Sequence, residues 1–281
     1  MKRSPVKAVA FFLFLLLDLW TRSHQNAFRI IYNVEFMKKE IKQRIITLAD
    51  KYETIDFLKA DPSHFMHCVE GADNQEAMAF IASCLSYGSR RQFFPKIQSL
   101  LDVSHGDVHR WVQSGAWRNS VPDTTDCFYR LYTCHDMCSL LAAYEAMLGE
   151  YGSMKEYVKR NASTGIEAVE AICRYFAAHG ASTVVPKNAV SACKRVCMFL
   201  RWMGRSDSPV DLGLWQDIID RRTLIMPLDT HVLQEACAMG LLNCRTASMS
   251  VAQRLTKTML EVFPDDPLRA DFALFGLGVD A

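Results

Sequence analysis

The chain has 281 residues, 50% of them hydrophobic and 22% charged, with Lys+Arg 32 against Asp+Glu 31. That composition excludes a disordered chain. The near-neutral balance excludes a broadly basic nucleic-acid-binding domain and leaves any such role to a local basic surface. With 13 Gly and 9 Pro, and no recurring alternating Val/Ile/Thr segments, the expectation is an all-α protein with a large core.

Residues 1–36 carry a basic start and an apolar run from Ala8 to Leu17, the pattern of a secretory signal. The run is shorter than the ~20 residues of an ordinary spanning helix, and no A-x-A-like cleavage site follows it. Five positive charges against two negative put this segment at +3 and the remainder at −2. Met37 opens MKKEIKQRIITLADKYE, a well-formed amphipathic helix, and translation is expected to start there. A cytoplasmic, nucleoid-associated protein then follows. If residues 1–36 are retained, the protein is membrane-anchored or exported.

Glu40 to Tyr52 reads as a helix with Ile41, Ile45, Ala49 and Tyr52 on one face. ADPSHFMHCVEGAD reads as a loop, with His64 and His67 in it and no metal site expected. Asp73 to Ser99 reads as two helices. Asp73 and Glu76 form a capping-box pattern, Ala77, Phe80, Ile81, Cys84 and Leu85 make a buried stripe, and Ser86-Tyr87-Gly88-Ser89 is the turn between them. Arg90 and Arg91 follow that turn, where a solvated loop and a phosphate contact both fit. A short helix is expected between Leu100 and Val121, and longer ones over Phe128–Leu148, 152–160 and 165–179. The ten cysteines show no CxxC and are expected to be mostly buried free thiols in a reducing compartment.

VPKNAVSACKRVCMFLRWMGR, Val185 to Arg205, reads as an amphipathic helix with Val190, Cys193, Val196, Leu200 and Met203 buried. Five cations (Lys187, Lys194, Arg195, Arg201 and Arg205) and no acid fall within it, either as a solvated face or as a basic stripe. LIMPLDTHV then brings Asp229 to the start of another helix, where capping alone explains an aspartate.

These strings resemble the helix-hairpin-helix DNA glycosylase superfamily, whose shared element is a hairpin, a lysine-bearing helix and a following Pro-x-Asp turn. CKRVCMFLRWM carries Lys194, PLDTHV carries Asp229, EAMAFIASCLSYGSRR resembles the segment leading to the DNA-wedging loop, and DPLRADFALFGLG resembles the closing helix. With RWMGR and DLGLW, they most closely match DUF2400, an uncharacterised bacterial family related to the archaeal 8-oxoguanine glycosylases, over roughly residues 40–281. Two departures stand out. VPKNAVSAC replaces the usual Gly-x-Gly hairpin, and the iron–sulfur cysteines of some members are missing.

The resemblance implies two helical lobes, approximately 76–204 and approximately 37–75 plus 205–281, with a cleft between them. It implies a bifunctional glycosylase/lyase acting on damaged duplex DNA, with an oxidised purine as a candidate lesion. Lys194 would form a Schiff base while Asp229 stabilises the sugar cation. Arg90, Arg91, Lys187, Arg195, Arg201, Arg205 and His231 would hold the nucleic acid. No cofactor, metal, iron–sulfur cluster or protein partner is expected, and the protein is expected to be a monomer. Two other readings remain beside it: a non-catalytic nucleic-acid-binding protein of the same fold, and a membrane-anchored helical protein.

Overall fold

The first helix, α1 (Lys39–Tyr52), buries Ile45 and Ala49 as its spacing predicts. This computed structural model describes residues 37–280, so the signal-like segment 1–36 lies outside the described residues. The boundary between the chain's two compact units falls inside α1, after Gln43. All site residues belong to the second unit, from Arg44 onward. No helix among the described residues is long and apolar enough to cross a membrane.

The expected all-α class holds. Among the described residues the extended structure is a single two-stranded hairpin, β1 (Cys127–Tyr129) paired antiparallel with β2 (Tyr132–Thr133). The expected loop at 60–73 is more ordered than its polar composition suggests. Two 3-10 turns, Ile55–Ala60 and Pro62–His67, bury Leu58, Phe65 and Met66. Asp61 fixes the second turn by accepting from the Ser63 amide at 3.0 Å. His67 Nε2 lies 2.8 Å from the Val210 carbonyl oxygen, where its ring is engaged by backbone.

Helix α2 (Ala72–Leu85) is buried on every side from Glu76 to Leu85, not along one stripe. Its N-cap is Gly71 with no side-chain bond, so the capping-box expectation fails. Glu76 instead caps a different helix. Its Oε1 accepts from the Met154 amide at 2.8 Å, and its Oε2 from the Lys155 amide at 3.1 Å and from Trp215 Nε1 at 3.0 Å. Burial pushes this carboxyl up to about 7 against those three donors, which pull it down. The spacing Asp-x-x-Glu was correct and the partner was not, because a helix 78 residues away offers unsatisfied amides to a carboxylate that cannot reach water.

After α3 (Arg90–Val103) and the short α4 (Val108–Gln113) comes the hairpin, which takes the first residues of the helix expected from Phe128. Helix α5 (Cys134–Tyr151) starts only where Thr133 and Asp136 form a reciprocal capping box. Helices α6 (Met154–Asn161) and α7 (Gly165–Ala178) follow, the latter capped by Thr164 and Glu167. Helix α8 (Lys194–Gly204) is shorter than expected. Residues 181–193 are turns, and Val190, assigned to a buried stripe, is 74% exposed. The last elements are α9 (Thr230–Ala238), α10 (Met249–Met259) and α11 (Arg269–Asp280). Six of the ten thiols are buried as expected, whereas Cys68 and Cys127 are exposed.

Helix α8 runs through the core. Phe199, Trp202 and Met203 are inaccessible to solvent, and burial of such side chains contributes roughly 1.5–3 kcal/mol each. Phe199 packs edge-on to Trp215 at 5.2 Å and to Phe80 of α2 at 5.5 Å. Together these contacts fix where the first residue of α8 lies.

Candidate functional site

That first residue is Lys194. Cys193, before it, takes a left-handed backbone (φ 45) and offers no capping bond. A non-glycine residue there is strained by on the order of 1–3 kcal/mol. A cation in the first turn also opposes the helix dipole. Neither choice helps α8 to form, so Lys194 is not there to stabilise its helix.

Asp229 has two tasks. Its Oδ1 accepts from the Val232 amide at 2.9 Å and caps α9, as the Pro-x-Asp turn predicts. Its Oδ2 lies 3.8 Å from Lys194 Nζ. Both side chains remain about a quarter exposed, at 26% and 24%, and both line one cavity of about 560 Å³. That volume lies within the roughly 300–1,000 Å³ of small-ligand sites.

The cavity draws residues from both expected lobes. Phe57, Pro62, Tyr87, Phe93, Met198 and Phe275 all line it. These surfaces suit a flat ring held between apolar and aromatic side chains. Polar groups converge on the same space. Asp271, a buried residue of the lining, accepts a hydrogen bond from Arg201 Nη1. Burial raises its carboxyl to about 6, with Asp229 adding to the rise and Arg201 and Lys194 opposing it.

The predicted binding residues divide into three groups. Arg90 and His231 line the cavity, with the Arg90 guanidinium 5.6 Å from the centre of the Phe275 ring. Arg195 also lines it, but its guanidinium is engaged by the Cys84 carbonyl at 2.6 Å and by the Tyr132 hydroxyl, and it lies 5.3 Å from the Tyr87 ring centre. Burial raises the Tyr132 phenol to about 12 against the pull of Arg195. Arg91 and Lys187 are exposed and outside the cavity lining.

Arg201 and Arg205 require a correction. They are 3% and 1% exposed, so they cannot form part of a basic stripe that meets a phosphate backbone. Arg201 pairs with Asp211 at 3.3 Å and with Asp271. Arg205 pairs with Asp211, with Glu53 at 2.7 Å and with Asp266 at 2.7 Å. Buried guanidinium groups demand such partners; Asp211 is close by in sequence, whereas Glu53, Asp266 and Asp271 come from distant parts of the chain.

Asp271, Phe275 and Tyr87 join the site without having been expected there. A signal existed for two of them. Asp271 interrupts the apolar run of ADFALFGLG, and Phe275 lies four residues on, on the same helical face. Tyr87 was read only as part of a turn.

No curated protein and no solved structure matches this chain. A family model described as a protein of unknown function (DUF2400) matches residues 61–280, which include the whole cavity lining except Phe57. That match spans well over half of the sequence, and the chain belongs to the DUF2400 family.

Proposed function

We propose that this protein is a DNA N-glycosylase with lyase activity that removes a damaged base, an oxidised purine being the first lesion to test. The observation that carries the reading is the approach of Lys194 Nζ to Asp229 Oδ2, 3.8 Å, within an aromatic-walled cavity. An amine and a carboxylate on one sugar-sized space suit chemistry at an anomeric carbon.

A base extruded from the duplex enters among the aromatic side chains. Its bond to C1′ breaks with the electron pair leaving on the base, which takes up a proton. Asp229 faces the positive charge that develops on the sugar. Lys194 gives up its ammonium proton to solvent, adds through the freed amine at C1′ and releases a second proton. Its lone pair then expels the ring oxygen, which is protonated, and a protonated imine remains. Arg90 and His231, in the same lining, offer contacts to the flanking backbone.

The test is borohydride trapping on a duplex with one abasic site, followed by duplexes carrying individual damaged bases. Wild type forms a covalent adduct and Lys194→Gln forms none. Asp229→Asn slows base release by about a hundredfold yet still traps on the preformed abasic site. If Lys194→Gln traps as well as wild type, or nothing traps, the enzymatic reading is dropped. Salt-dependent duplex binding without trapping instead supports a non-catalytic DNA-binding role.

A further inference from the structure

We infer that Cys237 and Cys244, at the far end of the helix that presents Asp229, form a redox-reversible clip. A small disulfide such as oxidised glutathione closes it into an intramolecular disulfide. The inference does not rest on the proposed base-releasing chemistry.

The other thiols are placed differently. Six are buried, and the exposed Cys68 and Cys127 lie against His64 and the Arg130 carbonyl. Cys173 and Cys193 touch each other but are 0% and 4% exposed, out of reach of a dissolved disulfide. Cys237 and Cys244 are both half-buried, and they meet. The Cys237 thiol donates to the Cys244 carbonyl at 3.3 Å, and the two side chains are in hydrogen-bond contact. The backbone brings them together. Cys237 lies in the last turn of α9, and Gly240, at φ 73, reverses the chain just after it. The Gly240 amide donates to the Cys237 carbonyl at 3.0 Å, and the Leu241 amide to the Ala236 carbonyl at 2.9 Å. Six residues separate the thiols, so a bond between them closes a short loop.

The surroundings suit thiol–disulfide exchange. Burial raises the Cys244 thiol, and Arg254 of α10 opposes that rise. Arg245 and Arg254 are both exposed, and cationic neighbours favour the thiolate and attract an anionic peptide disulfide. One protein thiol loses its proton and attacks a sulfur of oxidised glutathione, whose S–S bond breaks to release one glutathione thiolate. The second protein sulfur, deprotonated in turn, attacks the mixed disulfide and expels the other glutathione. The two protons end on the leaving thiolates, and two electrons pass from the protein to glutathione. The consequence falls on α9. This helix has nine residues, with Asp229 capping its first turn and Cys237 in its last. Closing the clip therefore fastens the end opposite the site.

The experiment uses the full chain, reduced and then incubated with oxidised glutathione. Remaining thiols are alkylated in denaturant and the digest is mapped by mass spectrometry. Cys237 and Cys244 emerge joined to each other, dithiothreitol separates them, and Cys68 and Cys127 carry glutathione singly. The joined form melts about 3–6 °C above the Cys237→Ser variant treated in the same way. That gap is absent between the two reduced proteins, and Cys244→Ser behaves as Cys237→Ser does. If Cys237 and Cys244 stay free or each retain glutathione, or if Cys173 and Cys193 are the joined pair, the clip is overturned. A joined pair with no rise in melting temperature overturns its hold on α9. Neither readout depends on borohydride trapping. Failure of the enzymatic reading leaves the clip standing, and failure of the clip leaves that reading untouched.

Discussion

Helix α8 has two ends that look alike in sequence and differ in every physical respect. Lys194 and Arg195 at its start are partly exposed and border a cavity, and Lys194 has one carboxylate at 3.8 Å. Arg201 and Arg205 at its end are sealed among Glu53, Asp211, Asp266 and Asp271. A run of cations is therefore not one surface. The end that holds the fold is neutralised, and the end available for chemistry is left open.

The contrast predicts a hierarchy of effects. Arg205→Met removes the cation shared by Glu53, Asp211 and Asp266, of which Asp211 keeps Arg201 and Glu53 keeps Arg269, and should destabilise the protein by about 3–5 kcal/mol in urea unfolding. Lys194→Gln should change stability by less than about 1 kcal/mol, since it removes a cation from a helix N-terminus. Equal losses in the two variants would erase the distinction between the ends.

Glu76 gives the next largest effect. Its folded-state value of about 7 lies above the usual 4.5, so the unfolded chain releases this proton first as pH rises. Its contribution is therefore most favourable below pH 4.5, declines between about 4.5 and 7, and is constant above that. The decline should amount to roughly 3–4 kcal/mol. Glu76→Gln should flatten it in thermal or urea melts across that range, while lowering stability at pH 4.5 because an amide nitrogen replaces one acceptor at the α6 amides. An unchanged slope would mean that Glu76 is ionised throughout.

Asp229→Ala should cost about 1 kcal/mol through loss of the α9 cap, whereas Asp229→Asn retains an acceptor and most of that stability. The pair separates capping from chemistry at one residue. The smallest effects belong to Arg91→Ala and Lys187→Ala. Each should leave stability unchanged and, if it meets a phosphate, reduce the salt slope of duplex binding by about one. A slope that does not move removes that residue from the binding surface.

Local pattern was enough for several elements. The spacing of Ile45 and Ala49 marked α1, the helix expected over 165–179 is α7, and Pro227 with Asp229 marked the start of α9. The reading failed where a distant partner decides. Glu76 has the spacing of a local cap yet serves Met154 and Lys155. Lys187 to Arg205 has helical periodicity, but α8 begins only after the left-handed Cys193. The hairpin lay hidden within an apolar stretch because Tyr129 and Tyr132 are held by their bonds and ring contacts with Tyr87 and Arg195. For the site, Lys194 and Asp229 were legible as a pair, whereas Asp271 needed the fold to bring α11 to the same cavity.

The buried arginine pairs also constrain how the chain can be made. As synthesis passes Arg205, Glu53 is already present and Asp211 soon follows. Asp266 and Asp271, the partners of Arg205 and Arg201, are 61 and 70 residues further on. A nascent chain that ends before them holds two arginines whose burial is only half compensated. The final packing of α8, and the position of the lysine at its head, must therefore wait for the last helix to leave the ribosome.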